Sequence, residues 1–330
     1  MGQNTLTNKK KKVLLFSPNF FDYDKSIADA MKKQGYDVIS YDERPFNSFI
    51  GKAILRFNLN FLIKKHVNKY FSSKITPLLN NIDYLVIINP ESITPEILSR
   101  IKKNKKNISI IIYMWDSFKN KKNAHALIPF SDSFFTFDPA DAVSYQINHL
   151  PLFYIPEYDF GHADKNFIYD YVFIGTAHSN RYNLVKKITE NFKNTFKFFY
   201  TPNKLVFLYK KYFLNELPGL KYSDVSSNSM SRNEVIDIVR KSNVVIDINH
   251  PLQIGLTMRT IETLGARKKL ITTNKEIENY DFYHPNNILI LTNDVSNIEI
   301  TEFKMKPFVC LDEKIHGKYN LNNWVRRLLS

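Results

Sequence analysis

Residues 244–274 read VVIDINHPLQIGLTMRTIETLGARKKLITTN, and the fold class follows from the order of the pieces in this stretch. Val244-Val245-Ile246, closing in Asp247, is a short β-branched apolar run of the kind that a strand buried on both faces requires. A polar loop, Asn249 to Gly255, comes next. Thr257 to Ala266 then spaces Met258, Ile261 and Leu264 for one face of a predicted helix. Leu270-Ile271-Thr272 reads as the next strand. Strand, loop, helix, strand is the unit of a parallel sheet, so the chain is predicted to be α/β. The loop lies at the carboxyl end of a strand and feeds a helix start. Open α/β sheets bind ligands there, and free amides at a helix N-terminus favour phosphate oxygens.

Gln253, Gly255, Leu256 and Thr257 occupy this loop and helix start, and Gly255 lets the backbone approach a ligand closely. Arg259 offers a forked cation, and Glu262, one turn further, offers a carboxylate for two hydroxyl groups. Amides and arginine for a diphosphate, with a carboxylate for a ribose, suit a nucleotide sugar. The competing reading is an ordinary helix on which Arg259 and Glu262 form an exposed i,i+3 ion pair. His250 is a candidate for diphosphate contact or proton transfer, or a structural loop residue. Asp247 is a strand-end turn residue or a donor contact.

Residues 253–274 resemble the donor-binding segment of GT-B glycosyltransferases. They are most similar to the glycosyltransferase-like group of bacterial lipopolysaccharide and capsule biosynthesis, which includes spore-maturation-protein-like members. Three further segments share the resemblance: YMWDSFKN (113–120), FTFDPADA with LPLFY (135–142, 150–154), and YDYVFIGT (169–176) with Arg181. In many GT-B enzymes a Glu on this helix binds the donor ribose, and the resemblance puts Glu262 there. The widespread retaining families carry another Glu eight residues earlier, where this chain has Ile254. The resemblance implies two Rossmann-like domains facing across a cleft, with the C-terminal helix returning to the first. The first domain would bind a glycan or lipid-linked acceptor and the second a nucleotide-sugar donor. Sugar transfer to a growing surface glycan would follow, with no cofactor and no metal. A nucleotide-sugar epimerase of the same fold and a non-catalytic nucleotide-binding module are the alternatives.

Outward from the central stretch, alternating strands and helices fill both halves. Lys12–Phe16, Asp37–Tyr41, Tyr84–Ile88, Ser109–Met114 and Ser133–Phe137 read as strands. Helices are predicted at Lys25–Lys33, from Thr94-Pro95-Glu96, and at Ala140–His149 before a short strand at Leu152–Tyr154. Asn47 to Leu79 reads as amphipathic helix, with Phe57, Leu59, Phe61, Leu62 and Ile63 as core or as an acceptor or membrane surface. The boundaries expected are 1–156 for the acceptor domain, 157–166 for a linker, 167–305 for the donor domain and 306–330 for a terminal segment. Tyr169–Thr176 restarts the pattern, Ser231-Arg232-Asn233-Glu234 is a capping box, and Asn287–Leu291 is the last strand. Leu321, Trp324, Leu328 and Leu329 mark a terminal helix.

Asp116, following a buried strand, is the candidate general base for the acceptor hydroxyl, or a cap of the next segment. Asp138 before Pro139 reads as a cap or turn residue. Gly175 and Thr176 offer hydrogen bonds to phosphate, and Arg181 a cation for the leaving group or a surface ion pair.

The 330 residues suffice for two α/β domains. The net charge of +14 points to anionic partners or to a solvated lysine-rich surface. No nucleic-acid motif is present, so an anionic membrane surface carrying the acceptor is the expected partner. No apolar run approaches a membrane span and no signal peptide is apparent. The expected location is therefore the cytoplasm, peripheral to the inner membrane face. One cysteine, Cys310, excludes an internal disulfide, and His66, His125, His149 and His162 lack metal-ligand spacing.

Overall fold

The computed structural model describes residues 10–45, 63–161, 167–250, 253–292 and 296–330. Much of the expected Asn47–Leu79 helix, including Phe57, Leu59, Phe61 and Leu62, lies outside these residues. So do His162, Pro251, Leu252 and the first nine residues. The chain divides into two compact units, one of residues 1–151 with 322–330 and one of residues 152–321.

Among its described residues the first unit holds six strands: β1 (Lys12–Ser17), β2 (Asp37–Asp42), β3 (Tyr84–Ile88), β4 (Ser109–Met114), β5 (Ser133–Thr136) and β6 (Asn148–His149). They pair in parallel in the order β2-β1-β3-β4-β5-β6. The central strands YLVII and SIIIYM are apolar throughout because a parallel sheet is covered on both faces. Among the described residues up to 151, its α-helices are α1 (Tyr23–Lys33), α2 (Lys64–Ile75), α3 (Pro95–Asn104) and α4 (Pro139–Tyr145). Phe71 of α2 and Ile97, Leu98 and Ile101 of α3 pack with Leu14, Leu85 and Ile110 of the sheet. The helix expected across Ala140–His149 stops at Tyr145 because Gln146 turns left-handed, φ 54°, and releases the chain into β6. Leu152–Tyr154 is not a strand of this sheet; Tyr154 instead forms an isolated parallel bridge with Asn320.

The second unit has β7 (Tyr169–Thr176), β8 (Thr195–Tyr200), β9 (Ser242–Asp247), β10 (Lys269–Thr272) and β11 (Ile288–Ile290). All pair in parallel, in the order β11-β10-β9-β7-β8. Its helices are α5 (Arg181–Thr189), α6 (Lys204–Tyr212), α7 (Arg232–Arg240), α8 (Met258–Gly265), α9 (Asn297–Met305) and α10 (Glu313–Lys318). The capping box opens α7 as expected, with Ser231 Oγ accepting from Glu234 N and Glu234 returning a carboxylate to Ser231 N. At the start of the stretch expected as linker stands a 3-10 turn, Pro156–Tyr158, with Tyr158 buried.

Helix α8 differs from expectation in its burial. Met258 and Leu264 are only partly covered, whereas Thr260, Ile261, Glu262, Thr263 and Gly265 are all buried. The helix is enclosed on more than one side, and Gly265 shows how tightly. A Cβ at that position would stand 2.4 Å from Cγ of Tyr154. Gly265→Ala is therefore expected to lower the urea midpoint, by about 1–3 kcal/mol of unfolding free energy, despite alanine's better helix propensity. A midpoint equal to or above wild type would mean that Tyr154 yields.

The terminal helix α11 (Leu321–Leu328) buries Leu321, Trp324, Val325 and Leu328. Its residues from Asn322 onward belong to the first unit. Trp324 meets Tyr113 of β4 edge to face, with ring centroids 4.7 Å apart and planes at 86°.

Candidate functional site

In the second sheet the chain leaves β7 for β8 on one side and later enters β9 on the other. The carboxyl ends of β7 and β9 therefore flank the topological switch point, where open α/β sheets take ligands. Arg181, the first residue of α5, spans it. Its Nε donates to the Ile248 carbonyl at 2.7 Å and its Nη1 to the Thr176 carbonyl at 3.0 Å. Burial pulls its guanidinium below the ordinary arginine range, and the charge of Asp247 opposes that pull. Gly175 makes room for it, since a Cβ there would lie 3.2 Å from Arg181 Nη1 and 2.9 Å from Phe173 Cζ. Gly175, Thr176 and Arg181 are thus brought together, with the arginine clasping two strand ends. The surface ion pair proposed as its alternative role is not what holds it.

The rings of His178 and His250 lie 5.2 Å apart beside this clasp. Burial pushes the His178 imidazole down to about 3, helped by Arg181, His250 and Lys210, so it is neutral at physiological pH.

Asp247 ties β9 to the start of α8. Its Oδ2 accepts from Thr260 Oγ1 at 2.7 Å and from Thr257 Oγ1. Thr257 in turn caps the helix, its Oγ1 accepting from Thr260 N at 3.2 Å. The loop before it is held by Asn249 Nδ2 on the Gln253 carbonyl (3.1 Å), Gln253 Nε2 on the Gly255 carbonyl (3.1 Å) and Asn274 Nδ2 on the Ile254 carbonyl (2.9 Å). Gly255 and Leu256 are buried within it.

Arg259 and Glu262 do meet, with Nη1 2.6 Å from Oε2, but the pair is not exposed: the side chains are 17% and 7% accessible. Tyr158 completes the cluster, its buried hydroxyl under the influence of both charges. Burial, reinforced by the Glu262 charge, pushes that phenol far above its ordinary range. No local signal marked Tyr158, which lies in the stretch read as linker.

The first sheet has its own switch point between β1 and β3. A cavity of about 320 Å³ opens at the strand ends there, lined by Phe20, Arg44, Asn89, Glu91, Trp115, Asp116 and Lys121. Asp116 is among its lining residues, with Oδ1 accepting from Ser117 N (3.1 Å) and Asn120 Nδ2 (2.8 Å). One of its oxygens therefore serves the turn, so the capping role is filled whatever else it does. The other lining residues were not anticipated. Arg44 grips Glu91 with two hydrogen bonds, Nε at 3.1 Å and Nη2 at 3.0 Å, while Lys121 Nζ reaches the same carboxylate at 2.6 Å. Burial alone would push Glu91 up, but Lys121 and Arg44 outweigh it and hold the carboxyl below its ordinary range.

Glu43, next to Arg44 in the chain, is fully buried, with Oε1 accepting from Ser92 N (2.8 Å) and Ile93 N (2.9 Å). Burial pushes its carboxyl up to about 7, against the pull of those two amides. Asp138, as expected, caps α4 by accepting from Ala140 N at 2.9 Å and from Asp141 N. Among the described residues no group of three or more His, Cys, Asp or Glu stands placed to hold a metal, and no helix is long and apolar enough to cross a membrane.

No family model matches the chain. Over 124 residues it is 34% identical to the chromosomal replication initiator protein DnaA of Buchnera aphidicola subsp. Cinara cedri. That match covers 33% of this chain and spans only 28% of that protein, too little of either to show a family. Similarity to solved structures is far more extensive. A glycosyltransferase from Rickettsia africae ESF-5 matches with a TM-score of 0.59 at 12% identity, over 97% of both chains. HepE of Anabaena, solved in complex with UDP-glucose, matches with a TM-score of 0.60 at 9% identity, over 96% of this chain and 98% of that one. AviGT4, a glycosyltransferase involved in avilamycin A biosynthesis, matches at 0.56 and 10% identity over 97% and 96%. At such identities the likeness speaks for architecture, and with the two parallel sheets it shows the GT-B fold, built of two Rossmann-like domains.

Proposed function

We propose that the protein transfers a sugar from a nucleotide-sugar donor to a growing cell-surface glycan, of lipopolysaccharide or capsule, at the cytoplasmic face of the membrane. The observation that carries this reading is Glu262, paired with Arg259 beside the buried Tyr158, on the helix that follows the switch-point loop of the second sheet. A fixed carboxylate at that place suits the two hydroxyl groups of a ribose. The fold is shared with a protein solved with UDP-glucose.

On this reading the second unit binds the donor. Gln253, Gly255, Leu256 and Thr257 form the loop and helix start for the diphosphate, where the amides and the helix dipole favour anions. Gly175, Thr176 and Arg181 flank it, and Arg181 supplies a fixed cation at the switch point. Arg259 adds charge near the helix start while it orients Glu262. Cations and amides together offset the charge of the departing nucleoside diphosphate, so the reaction needs no metal and no further cofactor. Asp116 in the first unit takes the proton of the acceptor hydroxyl, and His250 assists at the diphosphate. The acceptor is a glycan or lipid-linked sugar. The net charge of +14 holds the enzyme at an anionic membrane surface as a peripheral protein.

Calorimetric titration of UDP, GDP and CMP into wild type and Glu262→Gln tests the donor assignment. At least one nucleotide should bind wild type. The variant, which loses a charge-assisted hydrogen bond of about 1.5–3 kcal/mol, should bind it roughly ten- to hundredfold more weakly. Equal dissociation constants in the two folded proteins would remove Glu262 from the site.

A further inference from the structure

We infer that the cavity at the strand ends of the first unit is a subsite for a neutral sugar ring, engaged through its hydroxyl hydrogens, and that it excludes sugars carrying a carboxylate or phosphate. The inference rests on the glycosyltransfer reading and specifies the chemistry of its acceptor.

Size and walls come first. A cavity of about 320 Å³ lies at the small end of the range for small-molecule sites. Trp115 and Phe20 form one side, their rings 6.3 Å apart, and Phe20 is 48% exposed. Two adjacent aromatic rings offer an apolar platform to the C–H face of a sugar, and nothing comparable to a compact anion.

Charge decides between neutral and acidic ligands. A cavity with an arginine and a lysine first suggests an anion site, but both cations are already committed. Arg44 grips Glu91 with two hydrogen bonds and Lys121 binds the same carboxylate. An incoming carboxylate would have to displace Glu91, which is only 11% exposed, and would face Asp116 as well. The lining carries two carboxylates against two cations, so it offers no surplus positive charge.

The uncommitted polar atom points the same way. Asn89 lines the cavity, is almost wholly buried, and its Oδ1 finds no hydrogen-bond partner among the described residues. A buried acceptor without a donor is costly, and a ligand hydroxyl would satisfy it. Asn89 also adopts a left-handed backbone, φ 47°, at the end of β3. Asparagine tolerates that region better than most side chains, and the turn holds Asn89 at the strand end beside the cavity.

Tryptophan emission provides the test. The chain has two tryptophans, and Trp324 is sealed in the core, so a ligand-dependent change reports Trp115. Methyl glucoside, methyl galactoside, methyl mannoside and N-acetylglucosamine are titrated at constant ionic strength beside glucuronate and glucose 1-phosphate. At least one neutral sugar should give a saturable change, with no saturation by either anion. Asn89→Ala should weaken the neutral ligand roughly tenfold. Tighter binding of glucuronate or glucose 1-phosphate than of the neutral sugars would overturn the inference. So would the absence of any saturable change while UDP still binds, and in that case the donor assignment stands. Neutral-sugar binding without nucleotide binding would uphold the subsite and fell the donor assignment instead.

Discussion

Replacing Glu91 with alanine is expected to lower the unfolding free energy by about 3 kcal/mol. The residue contributes no large apolar surface, so the loss comes from what it leaves behind. Arg44 and Lys121 converge on one carboxylate, and each is only about a fifth exposed, at 21% and 22%. Without Glu91 two cations face each other across a small cavity in partly excluded water. Because both border that cavity and water can reach them, the loss belongs at the lower end of the range for broken buried pairs. Urea unfolding at pH 7 measures it. The triple variant Arg44→Leu, Lys121→Met, Glu91→Ala should recover part of the loss, since it strands no charge. A loss below about 1 kcal/mol for Glu91→Ala would show that the network behaves as an ordinary surface pair.

The second large effect is a pH dependence centred on Glu43. Its carboxyl titrates near 7 in the folded protein against 4.5 for an ordinary glutamate. Below pH 4.5 the group is protonated in both states and makes no difference to stability. Between 4.5 and about 7 the unfolded chain ionises while the folded one stays neutral, so stability falls as pH rises. Above 7 the loss is complete, on the order of 3 kcal/mol. Glu43→Gln keeps an acceptor for the Ser92 and Ile93 amides and cannot ionise. Its stability relative to wild type should therefore climb from pH 4.5 to 7 and then level off. Melting temperatures across pH 4 to 8 read this directly. A constant difference over that range would mean that Glu43 titrates like an exposed carboxylate.

The central unit was legible because its signals are local. The run at Val244–Ile246 is apolar since β9 is covered on both faces, and the helix and strand after it follow within one parallel repeat. Asp138 and Ser231 announced their caps through the next few residues alone. Strand β8 and helix α6 escaped notice for a physical reason. Thr195–Tyr200 is an edge strand with Lys197 exposed, so the buried-strand pattern is broken. In α6 only Phe207 is buried, while Leu205, Tyr209 and Tyr212 face solvent, so apolar periodicity points to no single side. The cavity of the first unit was illegible in another way. Arg44 and Glu91 are 47 positions apart and Lys121 lies 30 beyond Glu91, each in a loop after a different strand. Only the sheet order brings those loops together, and no spacing in the sequence encodes it.

The bridge between Tyr154 and Asn320 has a consequence for how the chain is made. The segments flanking the two crossings between units run side by side, with Tyr154 N on the Tyr319 carbonyl and Leu321 N on the Tyr154 carbonyl, each at 2.9 Å. A ribosome delivers residues 1–151 early but residues 322–330 only after the whole second unit. Trp324, which fills a place against Tyr113, is therefore missing from the first unit throughout elongation. The usual order, in which the N-terminal domain completes its folding while the next is still emerging, cannot apply here. The first unit waits for its terminal helix through about 170 residues of synthesis, and residues 322–330 complete it only after the second unit has been made.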